Sequence, residues 1–178
     1  MLEFWIRAIG WSAAKLPEAV SRAVCASLGW LIAALPWKRA RVLRGNISHA
    51  FPRMPKAGQK RLARTSAART VETVLYLLAV PHMGERELRR RFAVEEPPEA
   101  VREAIAQGRP IVSYQPHFAL FEATTLTPLL YDGEKPPVGV IYRPLDNPVL
   151  ENWIRRTRAR GGVEMLSRKR GFQRAVAL

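Results

Sequence analysis

Three histidines occur in the chain, His49, His82 and His117, and the last stands where a base would be useful. It lies in Gln115-Pro116-His117-Phe118-Ala119-Leu120-Phe121-Glu122, directly after the short apolar run PIVSY at residues 110–114. An imidazole that titrates near neutrality is a natural proton acceptor for a hydroxyl. A carboxylate at Glu122 can hold its Nδ1–H, fix the tautomer and leave Nε2 free. On one regular helix five residues turn through about 140°, which keeps such side chains apart. They meet if His117 belongs to the loop before a helix and Glu122 to the second turn of that helix. His49 sits in a basic stretch and His82 follows Pro81 at a helix end, so both read as structural or solvent-facing. Spacing alone leaves the catalytic and structural readings of His117 and Glu122 open.

The elements that must position this pair follow from periodicity. Residues 110–114 are apolar and bounded by turn formers, the pattern of a buried strand. A helix is predicted over 118–130, a strand over 138–142, a helix over 147–160 and a strand over 163–166. Strands separated by helices of this length imply right-handed crossovers and a mostly parallel sheet, an α/β fold. Ligands in such sheets bind beyond the C-terminal ends of the strands, where His117 would stand. Upstream, residues 56–80 carry apolar side chains near a 3.6-residue period and end at Pro81. A charged helix is predicted over 85–92, a Pro97-Pro98 linker after it, and a helix over 99–107 ended by Gly108. Three strands make a thin parallel sheet, since both faces need cover. Residues 171–178 read as the opening of another helix, so the sheet is expected to be incomplete and the sequence a piece of a longer one.

Composition narrows the partners. The 29 Lys and Arg against 15 Asp and Glu give a net charge of +14, which favours acidic partners. Ten basic and no acidic residues fall between positions 38 and 69, directly after an apolar segment. Eight more fall between 155 and 174, against Glu164 alone. A basic run can be merely a solvated face; beside an apolar segment it also suits an anionic membrane surface. The apolar stretch 23–36 is shorter than the roughly 20 residues that span a bilayer. Residues 1–37 therefore read as two short anchoring helices in the membrane interface, with Trp5, Trp11, Trp30 and Trp37 at headgroup level. A buried hairpin and a tilted span over 20–37 are the other readings. Residues 38–178 read as the α/β domain. The single cysteine, Cys25, excludes an internal disulfide, and no metal cluster or cofactor motif is evident. Without interleaved aromatics or zinc-finger spacing, nucleic acid is not expected.

Three segments, VLRGNISHAFP at 42–52, PIVSYQPHFALFE at 110–122 and VIYRPLDNPVLENWIRRTRARGG at 140–162, occur in an order that resembles the late acyltransferases of lipid A biosynthesis. In that lauroyl/myristoyl acyltransferase family a His–four residues–Glu motif follows a strand. A Tyr-Arg-Pro, Asn-Pro segment and an arginine-containing helix ending near a glycine come later. The resemblance implies transfer of a fatty acyl group from an acyl-carrier-protein thioester to a hydroxyl of a lipid A precursor. His117 would be the base, Glu122 would orient it, and Arg158 would stabilise the oxyanion or bind acceptor phosphates. Arg143, with Tyr142 and Arg160, would bind substrate, a structural ion pair being the other reading of Arg143. Acyl carrier protein, a glycolipid acceptor and the membrane surface are the implied partners. The implied location is the inner membrane, with the catalytic part facing the cytoplasm. Phe118 to Phe121 replace the family's commoner Gly-Asn-Trp, and the family's later Asp-Gln and Phe-Gly segments have no counterpart here. A glycolipid such as phosphatidylinositol mannoside as acceptor, or a non-catalytic basic fragment, are the alternatives.

Overall fold

The computed structural model describes residues 1–133, 135–168 and 171–176. In chain order the helices are α1 (Leu2–Lys15), α2 (Glu18–Ala34), α3 (Lys38–Ala50), α4 (Lys56–Ala79), α5 (Glu85–Arg91), α6 (Glu99–Ala106), α7 (Thr127–Leu130), α8 (Pro148–Ala159) and α9 (Phe172–Val176). The strands are β1 (Gly139–Tyr142) and β2 (Glu164–Ser167), and 3-10 turns occupy Val80–His82 and Phe121–Leu126. Two compact units result: Lys15–Tyr76, and Met1–Ala14 with Leu77–Leu178.

In the Lys15–Tyr76 unit, Ala33, Ile47, Ala63 and Ala67 form the buried centre, with Ile32, Leu43 and Leu62 packed around it. Small side chains at these positions let helices come close while still excluding water. The last turn of α2 leaves carbonyls without helical partners. Arg44 answers this by donating from Nη1 to Ala33 O at 2.6 Å, and Trp37 Nε1 donates to Ile32 O at 3.1 Å. Gln59 Nε2 does the same for the turn between α3 and α4, donating to Phe51 O and Met54 O at 3.1 Å each. The sequence pattern predicts no element for 42–52, yet this segment lies mostly within α3, and His49 is exposed as expected.

Among the described residues, no single helix is long and apolar enough to cross a membrane. At 1.5 Å per residue the 17 residues of α2 reach about 25 Å, short of a hydrocarbon core of about 30 Å. Among the described residues only α2 and α3 taken together have the length and composition, and they are bent by 90°. Residues 1–37 thus hold two helices broken at Pro17, neither of them long and apolar enough by itself to cross a membrane.

In the other unit, the predicted order β1–α8–β2 is present. The two strands pair in parallel, with Gly139 opposite Glu164 and Tyr142 opposite Ser167. Asn147 caps α8, its Oδ1 accepting from Val149 N at 3.0 Å and Leu150 N at 3.2 Å, and Pro148 fills the first helical position, where no N–H is needed. α8 packs against β2 and both 3-10 turns. Its buried face presents Trp153 and Thr157, one turn apart, and both donate to Leu77 O, at 3.0 and 3.2 Å. α6 ends as expected at Gly108, whose φ of 63° is left-handed. Gly108 N bonds Ile105 O at 2.9 Å and Arg109 N bonds Ala104 O at 2.8 Å, a Schellman closure.

Two expectations fail. Residues 110–114 form no strand and lie exposed, Val112 at 97% and Tyr114 at 92%. A buried parallel strand needs pairing and cover on both faces, and β1 pairs with β2 alone among the described residues. The sheet therefore has two described strands where the sequence pattern predicts three. The helix predicted over 118–130 is instead a turn, the 3-10 segment and the four-residue α7. Leu120 has φ 58°, which stops a right-handed helix at that point. Of the helix predicted from residue 171, Phe172–Val176 is formed and the last two residues lie outside the described ones.

Candidate active site

Glu122 is the second residue of the 3-10 segment and is buried, 4% exposed. A carboxylate so far from water needs a cation with matching geometry. Arg158, on the last turn of α8, supplies it: Nε donates to Oε2 at 2.7 Å and Nη2 to Oε1 at 2.5 Å. This fork is the strongest form of the pair, since a planar guanidinium meets both oxygens at once. Thr125 Oγ1 donates to Glu122 O at 2.7 Å and steadies the turn.

Gly161 lets α8 come this near. A Cβ there would stand 1.9 Å from Thr125 O, so the end of α8 lies directly on the backbone of the 3-10 segment. Arg158, three residues earlier, is thereby brought within reach of Glu122.

The Arg158 guanidinium carbon lies 5.6 Å from the centroid of the Tyr142 ring, a cation–π contact at the C-terminal end of β1. Tyr142 is half-buried, and its hydroxyl donates to Glu151 Oε1 at 2.6 Å. Burial first, then this bond to Glu151, raises the phenol above its usual range, so Tyr142 remains a donor at neutral pH. The other oxygen of Glu151 accepts Leu145 N at 2.8 Å.

His117 is exposed and rests on Phe121, ring centroids 4.4 Å apart. No hydrogen bond joins it to Glu122 among the described residues. Its loop is tied at both ends by Gln115, whose Nε2 donates to Phe121 O at 3.3 Å and whose Oε1 accepts Thr124 Oγ1 at 2.7 Å. Arg143 is exposed just past β1. Arg160 donates to the carbonyls of Val80 and Met83, clamping the turn before α5. Of the residues singled out by sequence, Glu122, Arg158 and Tyr142 are thus in one cluster. His117 lies a few residues along the same loop, and Arg143 and Arg160 have separate neighbourhoods. Glu151 joins the cluster, and Gln115 and Thr124 tie the His117 loop, without having been singled out by the sequence pattern. Glu151 carries a visible signal, an acidic residue seven before Arg158 and so on the same helix face.

No three potential metal-ligating side chains converge among the described residues. What the cluster can do chemically is hold a carboxylate and a cation, largely shielded from water, beside a histidine-bearing loop at the C-terminal edge of a parallel α/β sheet. In open α/β sheets that edge is where ligands bind, which makes the cluster a candidate site. Residues 1–177 match the family described as bacterial lipid A biosynthesis acyltransferase, and the chain belongs to that family. Neither the curated proteins nor the solved structures gave a match.

Proposed function

We propose that the protein moves a fatty acyl group from an acyl-carrier-protein thioester to a hydroxyl of a lipid A precursor. His117 Nε2 takes the proton of the acceptor hydroxyl as its oxygen bonds to the thioester carbonyl carbon. The tetrahedral oxyanion then collapses, the carbon–sulfur bond breaks, and the proton on His117 passes to the departing sulfur. Glu122 orients the imidazole and stabilises its protonated form. Two of the five N–H donors of Arg158 go to Glu122, which leaves three for the oxyanion or for acceptor phosphates. The exposed Arg143 serves the acidic glycolipid, with Tyr142 beside it. Arg160 acts behind them, through the turn it clamps.

The observation that carries this reading is the buried Glu122–Arg158 fork, which joins the second and third of the family-like segments. The mechanism requires His117 to turn from Phe121 onto Glu122 when substrate is bound, a tightening common to catalytic hydrogen bonds. Exposed apolar side chains support work at an inner-membrane interface facing the cytoplasm. Phe4, Trp5, Ile9 and Trp11 project from α1, and Val20, Val24, Leu28 and Leu31 recur along α2. The +14 charge suits acyl carrier protein and phosphorylated lipid, both acidic.

Acyl transfer to a Kdo-bearing lipid A precursor, followed by mass spectrometry, tests the reading. Product that disappears in His117→Ala supports it. Transfer only to another glycolipid, such as a phosphatidylinositol mannoside, keeps the mechanism and removes lipid A as the acceptor. Membrane binding without transfer to any acceptor overturns the catalytic reading.

A further inference from the structure

Arg158 can serve Glu122 only if its long side chain is held in one rotamer. Four bonds rotate between its backbone and guanidinium, and freezing them costs entropy that a single partner does not always offset. The Tyr142 ring provides a second face for the guanidinium at 5.6 Å, but a tyrosine at the end of a strand is itself free to rotate. One residue removes that freedom. Glu151 takes the Tyr142 hydroxyl at 2.6 Å and the backbone N–H of Leu145 at 2.8 Å, one on each carboxylate oxygen. It thereby ties both the ring and the turn after β1 to α8, the same helix that carries Arg158. Glu151 also lies in the first turn of α8, where the helix dipole favours its negative charge.

We infer that Glu151 is a positioning residue, which fixes Tyr142 beneath Arg158 and so holds the Arg158–Glu122 fork in its reactive alignment. The inference rests on the proposed acyl transfer for its kinetic consequence, and on geometry alone for its structural one. Glu151 touches no reacting atom in this scheme and acts through Tyr142.

Two variants separate the pieces. Glu151→Gln keeps the size of the side chain but cannot accept both donors, because its amide nitrogen only donates. Tyr142→Phe keeps the ring and removes the tether from the other end. Each should lower kcat by about ten- to a hundredfold, the effect of a small misplacement at a reacting centre. KM for the acyl donor should stay within about twofold in Glu151→Gln, since Glu151 touches neither substrate in this scheme. The double variant should be no worse than the single ones, because both cut one link. In nitrogen-15 spectra the Arg158 Nε–H should exchange slowly in the native protein and quickly in both variants.

Native kcat in Glu151→Gln, additive losses in the double variant, or a still-protected Arg158 Nε–H would each overturn the inference. If the native protein transfers no acyl group, the proposed reaction fails while the Nε–H signal still decides the positioning. Should Glu151→Gln not fold, Tyr142→Phe, which preserves the ring packing, carries the test.

Discussion

Glu122 and Arg158, 36 residues apart in the chain, share two parallel hydrogen bonds of 2.5 and 2.7 Å, and the carboxylate is nearly shut off from water. A pair so buried is not chosen for stability, since desolvation consumes much of the attraction. Each partner, however, depends on the other, and that dependence can be measured.

Arg158→Ala leaves the Glu122 carboxylate buried without a cation. Unfolding by urea should show a loss of about 3–5 kcal/mol, the usual effect of stranding one member of a buried pair. Replacing both, Glu122→Gln with Arg158→Met, should cost much less than the two single changes added together. Simple additivity would show that the fork contributes little.

Gly161→Ala should be damaging out of proportion to one methyl group. Its Cβ would need the space held by Thr125 O, so α8 and the 3-10 segment must part. We expect a stability loss of about 1–3 kcal/mol, the range for overpacking, with weakened slow exchange at Arg158. Unchanged stability and unchanged Arg158 exchange would mean that the approach at Gly161 is incidental.

Trp153 is 7% exposed, and its indole N–H donates to Leu77 O. Trp153→Ala removes that bond and leaves a large void, which should destabilise by about 3–5 kcal/mol. Trp153→Phe keeps most of the volume and should lose much less. Equal losses for the two would assign the whole effect to the hydrogen bond.

His82 gives the fold a pH dependence. Burial lowers its pKa below the usual 6.5, and the charges of Arg7 and Arg160 push it the same way. Its Nε2 is buried without a hydrogen-bond partner among the described residues. The unfolded chain therefore binds the proton more readily than the folded one. Stability should be full above the unfolded pKa and should fall as pH drops through about 6.5 toward the lower folded value. Urea midpoints from about pH 7.5 to 5.5 should decline in the native protein and flatten in His82→Gln. An equally steep decline in that variant would point to other groups.

The frame around the candidate site is partly legible in the sequence, and the reasons are specific. β1, α8 and β2 can be read because each carries a local signal: a β-branched apolar run, an Asn-Pro start and a Gly-Gly end. The Arg158 region is legible through the family-like order of segments, although its bond to Glu122 is not, since pairing across the chain leaves no mark on spacing. Residues 110–114 have the composition of a buried strand, but composition cannot supply the neighbours that burial requires. α3 escapes the pattern because its cationic sequence hides the few apolar positions, Ile47 among them, that face the core. Leu120 explains why the helix predicted at 118 starts late: a left-handed residue of this type is set by its surroundings, not by its identity.

The central claim is that His117, oriented by Glu122, moves the acceptor proton during acyl transfer. The most direct test is single-turnover transfer from acyl-carrier-protein thioester to a Kdo-bearing lipid A precursor, by the native protein and by His117→Ala, across pH. The account predicts a loss of at least about a hundredfold in the variant and a pH profile that differs from the native one. A variant that keeps the native rate and the native pH profile would contradict it.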